Sequence, residues 1–173
     1  MQASSVDGQI LAVRISLAAV MTALVAVTTF VTRVPNAMGG YFNFGDVAIF
    51  AVALALGPVI GGFAGGVGSA LSDAIGFPAF VIPTLVIKGI EGLLAGLISN
   101  RKSLYRDILA VFVGGGFMIV GYFLVELFLP GWGLGPALTE LPGNVLQIVG
   151  GGLIGIPVAQ LVRRRLPPIL RQE

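Results

Sequence analysis

Long apolar runs constrain this chain more than any other feature of its sequence. Four of them, at residues 15–32, 80–99, 108–129 and 145–162, approach the roughly 17–25 residues that a membrane-spanning helix needs. Only 10% of the 173 residues are charged and 56% are hydrophobic, whereas a soluble domain averages roughly 25% charged residues. So few polar groups could not cover a soluble fold. We therefore expect an all-α membrane protein that forms a single domain (1–173).

The region 44–75 decides how many times the chain crosses the bilayer. It is long for one span and contains Gly57-Pro58. If it forms two helices, eight of the ten basic residues share one side with both termini, and the positive-inside rule makes that side cytoplasmic. Two full crossings of a ~30 Å core need about 40 residues, so these two helices must be short. We predict six transmembrane helices with both termini cytoplasmic, at 11–32, 44–57, 58–75, 80–99, 105–129 and 143–163.

Small residues in the third predicted helix recur at helical spacing. Gly61, Gly65 and Ser69 form one series, and Gly62 and Gly66 form another. Such series let a neighbouring backbone approach closely. A phosphate-binding loop would end in Gly-Lys-Ser/Thr, which is missing here. We therefore interpret this segment as a helix-packing surface, and we expect the glycines at 114–116 and 150–152 to serve the same purpose.

Polar and aromatic side chains concentrate near the predicted extracellular ends of the helices, while the inner halves are expected to hold few polar groups. An interfacial aromatic belt would form at both membrane surfaces. A one-sided set instead favours a concave small-molecule site facing outside, with apolar walls and a few orienting polar groups. We expect its polar lining to be Asn43, Asp46, Lys88, Glu126, Asn144 and Gln147, with ring contacts from Phe42, Phe80, Tyr122 and Trp132.

Lys88 and Glu91 lie within one predicted transmembrane helix. An ionised side chain in hydrocarbon costs several kcal/mol, so such residues usually face the protein interior and pair. At i and i+3 the two share a helix face, and Asp46 or Asp73 could join them. Lys88 could contact ligand or only fix helix packing; for the deeper Glu91 a packing role is favoured.

The residue inventory also excludes several functions. Without histidine or cysteine there is no thiolate nucleophile, no histidine acid–base catalysis and little basis for a transition-metal site. An aspartyl pair of Asp46 and Asp73 remains open, but both are expected near the outer boundary. We therefore expect no enzymatic activity, cofactor or metal. We also expect no nucleic-acid partner, because the basic residues lie at the ends of apolar runs and do not form a patch.

Two non-enzymatic alternatives remain besides a binding subunit. A stand-alone facilitator or ion-coupled carrier would place polar groups near the midplane and show an internal repeat, and neither is evident. A purely structural assembly subunit would leave the outer aromatic and polar residues unexplained. No nucleotide-binding motif is present, so concentrative uptake would need a partner or an ion gradient.

Five segments carry a family resemblance that spans most of the chain in order: NFGD (43–46), GPVIGG (57–62), GVGSALSD (66–73), PTLVIKGIEG (83–92) and PGNVLQ (142–147). They resemble the substrate-binding S components of energy-coupling factor (ECF) vitamin transporters. The most similar subgroup is the riboflavin type, which also includes transporters for hydroxymethylpyrimidine and pyridoxine.

The resemblance implies a multi-pass protein of the cell membrane that captures a vitamin or precursor from outside with high affinity. It also implies a transmembrane T subunit and two cytosolic ATPase subunits as partners. The S component would then topple in the membrane to release the bound compound. Ala19 and Ala23 match the family's Ala-x-x-x-Ala docking pattern. The loop at 33–42, with Pro35, Gly39 and Gly40, would be a lid over the site. The vitamin itself stays open between the three candidates.

Overall fold

The computed structural model describes residues 2–35 and 40–166 of the chain. Nearly all of these residues are helical, which confirms the predicted all-α class. Within the described ranges there are six α-helices, which are α1 (Gln2–Val31), α2 (Gly45–Leu56), α3 (Pro58–Ala74), α4 (Val81–Ile98), α5 (Leu104–Phe128) and α6 (Leu134–Arg165).

Two short non-helical elements connect these helices at one end of the bundle. Between α1 and α2, strand β1 (Val34–Pro35) pairs antiparallel with strand β2 (Tyr41–Phe42). A 3-10 turn at Pro78–Phe80 leads from α3 into α4. The expected lid loop at 33–42 thus contains a small hairpin, whereas residues 36–39, including Gly39, lie outside the described part of the chain.

The predicted break at Gly57-Pro58 is confirmed. α2 ends at Leu56, and Gly57 adopts a φ of 88°, a left-handed conformation that suits glycine because it has no Cβ. Pro58 then opens α3, where its fixed φ and missing N–H cost nothing. The region 44–75 is therefore two helices joined by a one-residue turn.

Two helices begin earlier than the sequence indicates. α1 starts at Gln2 rather than at residue 11, and α6 starts at Leu134 rather than at residue 143. Pro142-Gly143 resembles a helix start, since proline is favoured in the first turn. The helix instead continues through both Pro142 and Pro157, and its N-cap is Gly133. The earlier start adds about two and a half turns to α6 at 3.6 residues per turn.

Four described helical segments are long and apolar enough to cross a membrane: Gly8–Val31, Pro78–Ile98, Leu104–Phe128 and Leu134–Arg165. Each exposes large apolar side chains such as Val20, Ile82, Phe112 and Leu153, which suits contact with lipid. α3 has 17 residues and α2 only 12, so α2 is about 18 Å long at 1.5 Å per residue.

α2 forms the centre of the bundle. Every residue from Gly45 to Leu56 except Val47 is buried, and Ile49 and Phe50 are fully enclosed. Its neighbours are α1, α3, α4 and α6. Because nearly all of its residues are buried against these helices, α2 is surrounded by protein and not by lipid.

Glycines allow α3 and α4 to pack almost backbone to backbone. A Cβ on Gly66 would lie 2.6 Å from the Leu85 carbonyl oxygen, and one on Gly65 would lie 2.7 Å from the Lys88 carbonyl oxygen. Gly114 and Gly115 make similarly close contacts, with Glu91 and Ile148, whereas Gly116 faces open space. The predicted packing role is confirmed for the α3 series and holds for part of the later glycine runs.

A buried polar cluster lies at the opposite end of the bundle from the hairpin, where few polar groups were expected. Arg163 donates to both Asp107 carboxylate oxygens, at 2.7 and 2.9 Å, and to the Leu54 carbonyl. The Ser99 hydroxyl also bonds to Asp107, at 2.7 Å. The cluster ties α2, α4, α5 and α6 together. From the sequence, Arg163 was assigned only to the basic residues at the cytoplasmic end.

Candidate small-molecule site

A cavity opens at the hairpin end of the bundle and holds about 490 Å³, including the part open to solvent. The ends of α1, α3 and α5 and the starts of α4 and α6 contribute to it, because antiparallel neighbours bring alternate helix ends together. Its lining comprises Thr29, Gly40, Tyr41, Asn43, Ser69, Asp73, Phe77, Phe80, Thr84, Lys88, Tyr122, Glu126, Trp132, Glu140, Asn144 and Gln147.

Three buried carboxamides form a hydrogen-bonded row along one wall. The Asn43 oxygen accepts from the Gly45 backbone N–H at 2.6 Å, which fixes the orientation of that amide. The Asn43 and Gln147 side-chain amides lie 2.6 Å apart, and the Gln147 and Asn144 amides lie 3.0 Å apart. The row is preorganised, and each amide can offer a ligand a donor or an acceptor.

Lys88 lies at the floor of the cavity between two carboxylates. Its ammonium pairs with Asp46 of α2, and its Nζ lies 3.1 Å from the nearer Glu91 oxygen. Neither Glu91 oxygen makes a hydrogen bond within the described part of the chain, and all three side chains are buried. The predicted Lys88–Glu91 pairing is confirmed, as is the participation of Asp46. Whether Lys88 contacts ligand stays a prediction.

Aromatic rings form much of the remaining wall. Phe80 and Trp132 meet edge to face with centroids 4.9 Å apart, and Tyr41 packs on Phe77 at 4.6 Å. The Tyr122 hydroxyl shares a 2.9 Å hydrogen bond with the Thr84 hydroxyl. Apolar ring faces with a few fixed polar groups between them are the usual composition of a small-molecule pocket.

Arg33 fastens the hairpin to the end of α3. Its guanidinium donates to the Ser72 carbonyl at 2.9 Å and lies 3.6 Å from the Asp73 carboxylate, while its carbon sits 4.5 Å from the Tyr41 ring centroid. The Tyr41 hydroxyl donates to Asp73. Burial raises the pKa of the Tyr41 phenol, and the nearby Asp73 charge raises it further, so Tyr41 remains a donor at neutral pH.

Two glutamates from different helices line the cavity. Glu126 on α5 and Glu140 on α6 are both buried. Glu140 also contacts the hairpin, since a Cβ on Gly40 would collide with its carboxylate. The Oε2 atom of Glu126 makes no hydrogen bond within the described residues.

The structure brings together most of the residues expected from sequence. Asp46 contacts the site through Lys88, and Phe42 does not line it. Successive strand residues face opposite sides, so Tyr41 faces the cavity while the Phe42 ring packs edge-on against Phe44 at 5.0 Å. Eight of the ten expected residues line the cavity, namely Asn43, Phe80, Lys88, Tyr122, Glu126, Trp132, Asn144 and Gln147.

Eight residues that line the cavity were not in the expected set, namely Thr29, Gly40, Tyr41, Ser69, Asp73, Phe77, Thr84 and Glu140. Glu140 was overlooked because helix 6 was expected to begin at residue 143; on the longer α6 it precedes Asn144 and Gln147 by four and seven residues and shares their buried face. Ser69 was not expected in the lining because it had been assigned to the series of small residues that serves helix packing. The helical spacing of Glu140, Asn144 and Gln147 was the signal that could have identified the first of these.

No histidine or cysteine occurs in the chain. Among the described residues, no group of three or more acidic side chains is arranged to hold a metal ion. A helical bundle with lipid-suited outer faces and an aromatic, amide-lined cavity at one end is typical of a membrane protein that binds or transports a small molecule.

Comparisons with known proteins agree with that class. Residues 10–164 match the family described as ECF-type riboflavin transporter, S component. A Lactococcus lactis subsp. cremoris (strain MG1363) protein named "Thiamine precursor transporter HmpT" is 30% identical over 157 residues, which cover 87% of this chain and 88% of that protein. A Pyrococcus woesei protein described as "Uncharacterized protein in gap 3'region" is 45% identical over 148 residues, covering 84% and 99% respectively.

The chain therefore belongs to the family of S components of ECF-type riboflavin transporters. The resemblance of its five motif segments to this family is confirmed. The family consists of transporter components and is not an enzyme family. Together with the apolar helices, this makes the chain a multi-pass membrane protein of vitamin or vitamin-precursor transport.

Proposed function

We propose that this chain is the high-affinity subunit that captures a small heteroaromatic vitamin or precursor from outside the cell and works with the T subunit and two ATPases of an ECF transporter. The observation that carries the proposal is the cavity itself. It combines ring faces (Phe80, Trp132, Tyr122) with a preorganised row of carboxamides, the combination that holds and orients a flat polar ring.

Charge distribution supports an outward-facing site. The cavity lies at one end of the bundle, and most basic residues lie at the other, around Arg101, Lys102, Arg106 and Arg163–Arg165. By the positive-inside rule the basic end is cytoplasmic, so the cavity faces outside. In this arrangement the short helix α2 runs from the outer to the cytoplasmic side and α3 runs back to the outer side. The chain then has six spans with both termini inside.

Partner docking is assigned to α1. Ala19 and Ala23 lie on its exposed face, away from the bundle. Small residues four apart let another helix approach closely, so this face suits the T subunit. The chain carries no nucleotide-binding motif, so the energy for uptake comes from the partner ATPases.

The substrate is a single- or multi-ring vitamin of the riboflavin, hydroxymethylpyrimidine or pyridoxine class. The riboflavin family model favours the first, and the relative named as a thiamine precursor transporter favours the second. The competing function is a stand-alone facilitator or ion-coupled carrier. It predicts substrate flux across proteoliposomes that contain this chain alone.

The deciding experiment starts with mass spectrometry of small molecules that co-purify with the detergent-extracted protein, followed by calorimetric titration of each candidate vitamin. We expect one to bind stoichiometrically and Asn144→Ala to weaken it about tenfold, the effect of losing one hydrogen bond to a ligand. Asn100→Ala is the matched control, because Asn100 is an exposed residue at the opposite end of the chain's bundle.

Two results would contradict the proposal. One is the absence of binding across the whole vitamin panel by a protein that remains folded. The other is substrate flux through proteoliposomes without T subunit and ATPases, which would establish the carrier reading instead.

A further inference from the structure

A second depression lies at the basic end of the bundle, opposite the cavity described above. It holds about 710 Å³, including the part open to solvent. Basic residues were expected only at the ends of separate apolar runs, and the fold brings two of these ends together, the α4–α5 loop and the last turns of α6. The lining comprises Arg101, Lys102, Ser103, Leu104, Asp107, Gln160, Arg163 and Arg164.

Internal bonds fix the floor of this depression. Arg163 is buried and pairs with Asp107, which is the only acidic side chain among the described lining residues. The Arg101 guanidinium donates to the Arg163 carbonyl at 2.6 Å, and this bond joins the α4–α5 loop to α6. The shape of the depression therefore follows from the fold of the chain itself.

Lys102 and Arg164 supply the charge that the depression presents at its surface. Both side chains are exposed, and neither forms an ion pair with another described residue. Because the Asp107 carboxylate is already paired with Arg163, the lining has a net positive charge. Such a surface attracts an anion, and a guanidinium group can bind two phosphate oxygens at once.

Exposed apolar side chains continue from the depression along the same two helices. Leu104 lines it, and Ile108 follows one turn later on the same face of α5. On α6, Leu153 lies two turns before Gln160 and is exposed as well. Both helices are long and apolar enough to cross a membrane. The depression at their ends therefore lies at the level of lipid headgroups, and the apolar side chains lie at the level of acyl chains.

We propose that this depression binds the headgroup of an anionic phospholipid, with the phosphate held by Lys102 and Arg164 and the acyl chains lying along α5 and α6. Basic pockets between transmembrane helices are a recurrent form of anionic-lipid site. A zwitterionic lipid brings its own cation, which the basic side chains repel, so the site distinguishes lipids by net charge. The site lies at the opposite end of the bundle from the vitamin cavity and does not depend on which compound that cavity binds.

The experiment titrates the full-length protein, freed of co-purified lipid in a neutral detergent, with two phospholipids that have identical oleoyl chains. These are phosphatidylglycerol, which is anionic, and phosphatidylcholine, which is zwitterionic. Native mass spectrometry measures the fraction of protein that carries one lipid. Each basic side chain at the membrane surface strengthens the binding of an anionic lipid about fivefold, so two side chains predict a preference of about 25-fold for phosphatidylglycerol.

A pair of double variants distinguishes this site from the general charge of the protein. Lys102→Gln/Arg164→Gln removes the exposed charges of the depression, and we expect the preference for phosphatidylglycerol to fall below about threefold. Arg14→Gln/Arg165→Gln is the matched control, because it removes two positive charges from exposed positions that do not line the depression. The control should keep most of the preference. Thermal unfolding followed by the fluorescence of Trp132, the chain's one tryptophan, reports whether each variant is folded.

Four results would overturn the site. Wild-type protein that binds both lipids equally has no preference for an anion, and this comparison needs no variant. An unchanged preference in a folded Lys102→Gln/Arg164→Gln variant would mean that these side chains do not hold the headgroup. An equal loss in both double variants would assign the preference to overall charge. Displacement of phosphatidylglycerol by an equal concentration of glycerol 3-phosphate, which has the same phosphate but no acyl chains, would indicate a site for a soluble phosphate.

Discussion

Replacing Lys88 by methionine should be among the most damaging single changes in this protein. The ammonium of Lys88 lies between Asp46 and Glu91, with all three side chains at most 5% exposed. Methionine is similar in length and apolar, so it fills the space. It leaves two carboxylates facing each other in a buried site without a counter-ion.

The magnitude follows from the burial of the three charges. Removing one partner of a buried ion pair costs about 3–5 kcal/mol, because the remaining charge stays uncompensated. For a domain of this size 1 kcal/mol shifts the unfolding temperature by roughly 2–4 °C. We therefore expect Lys88→Met to lower it by about 6–20 °C.

Glu91→Gln should behave quite differently although Glu91 is the most deeply buried of the three. The triad holds one positive and two negative groups, and among the described residues neither Glu91 oxygen has a hydrogen-bond partner. Removing that charge leaves the Lys88–Asp46 pair neutral and intact. The expected change is within about 1 kcal/mol of wild type, the range of an ordinary hydrogen-bonding group.

The assay is thermal unfolding in detergent, followed by Trp132 fluorescence, for Lys88→Met, Glu91→Gln and the double variant. Since the three groups interact, Lys88→Met should cost at least about 1 kcal/mol less when Glu91 is already glutamine, the size of coupling seen between contacting residues. Strictly additive costs, or a Lys88→Met variant as stable as wild type, would refute the electrostatic reasoning.

Two further predictions use matched pairs in the same unfolding assay. Gly66→Ala should destabilise the protein by about 1–3 kcal/mol, since its Cβ would press on the Leu85 carbonyl across the α3–α4 contact. In Gly116→Ala the new methyl group meets open space, so stability should be unchanged or higher. Equal effects of the two variants would contradict a packing role for Gly66. Arg163→Met should cost about 3–5 kcal/mol because it strands the buried Asp107 carboxylate. The neighbouring, exposed Arg164→Met should not change the unfolding temperature, and a comparable loss there would argue against the role of the cluster.

Much of the architecture follows from patterns of single residue types. Apolar runs locate the long helices, Gly57-Pro58 locates the turn between α2 and α3, and the spacing of small residues locates the α3–α4 contact. These signals work because each depends on local chemistry: chain length against bilayer thickness, the φ of glycine, and the absence of a Cβ.

The site was harder to predict where it depended on long-range packing or on the exact start of an element. Glu140 became visible only with the longer α6, and Tyr41 replaced Phe42 because strand alternation turns neighbouring side chains apart. The Arg163–Asp107 cluster joins residues far apart in sequence, and no spacing rule links them. Depth in the membrane predicted which residues gather at one end, but not which of them face each other.

The burial of α2 also bears on how the protein tolerates different bilayers. Hydrocarbon thickness varies between membranes, and a mismatched helix responds by tilting or by deforming the lipid around it. In this bundle α2 is enclosed by other helices, so it has no hydrophobic length of its own to match. A change in bilayer thickness is therefore accommodated by the lipid-facing outer helices. The position of α2, which carries Asp46 beside the cavity floor, does not depend on that thickness.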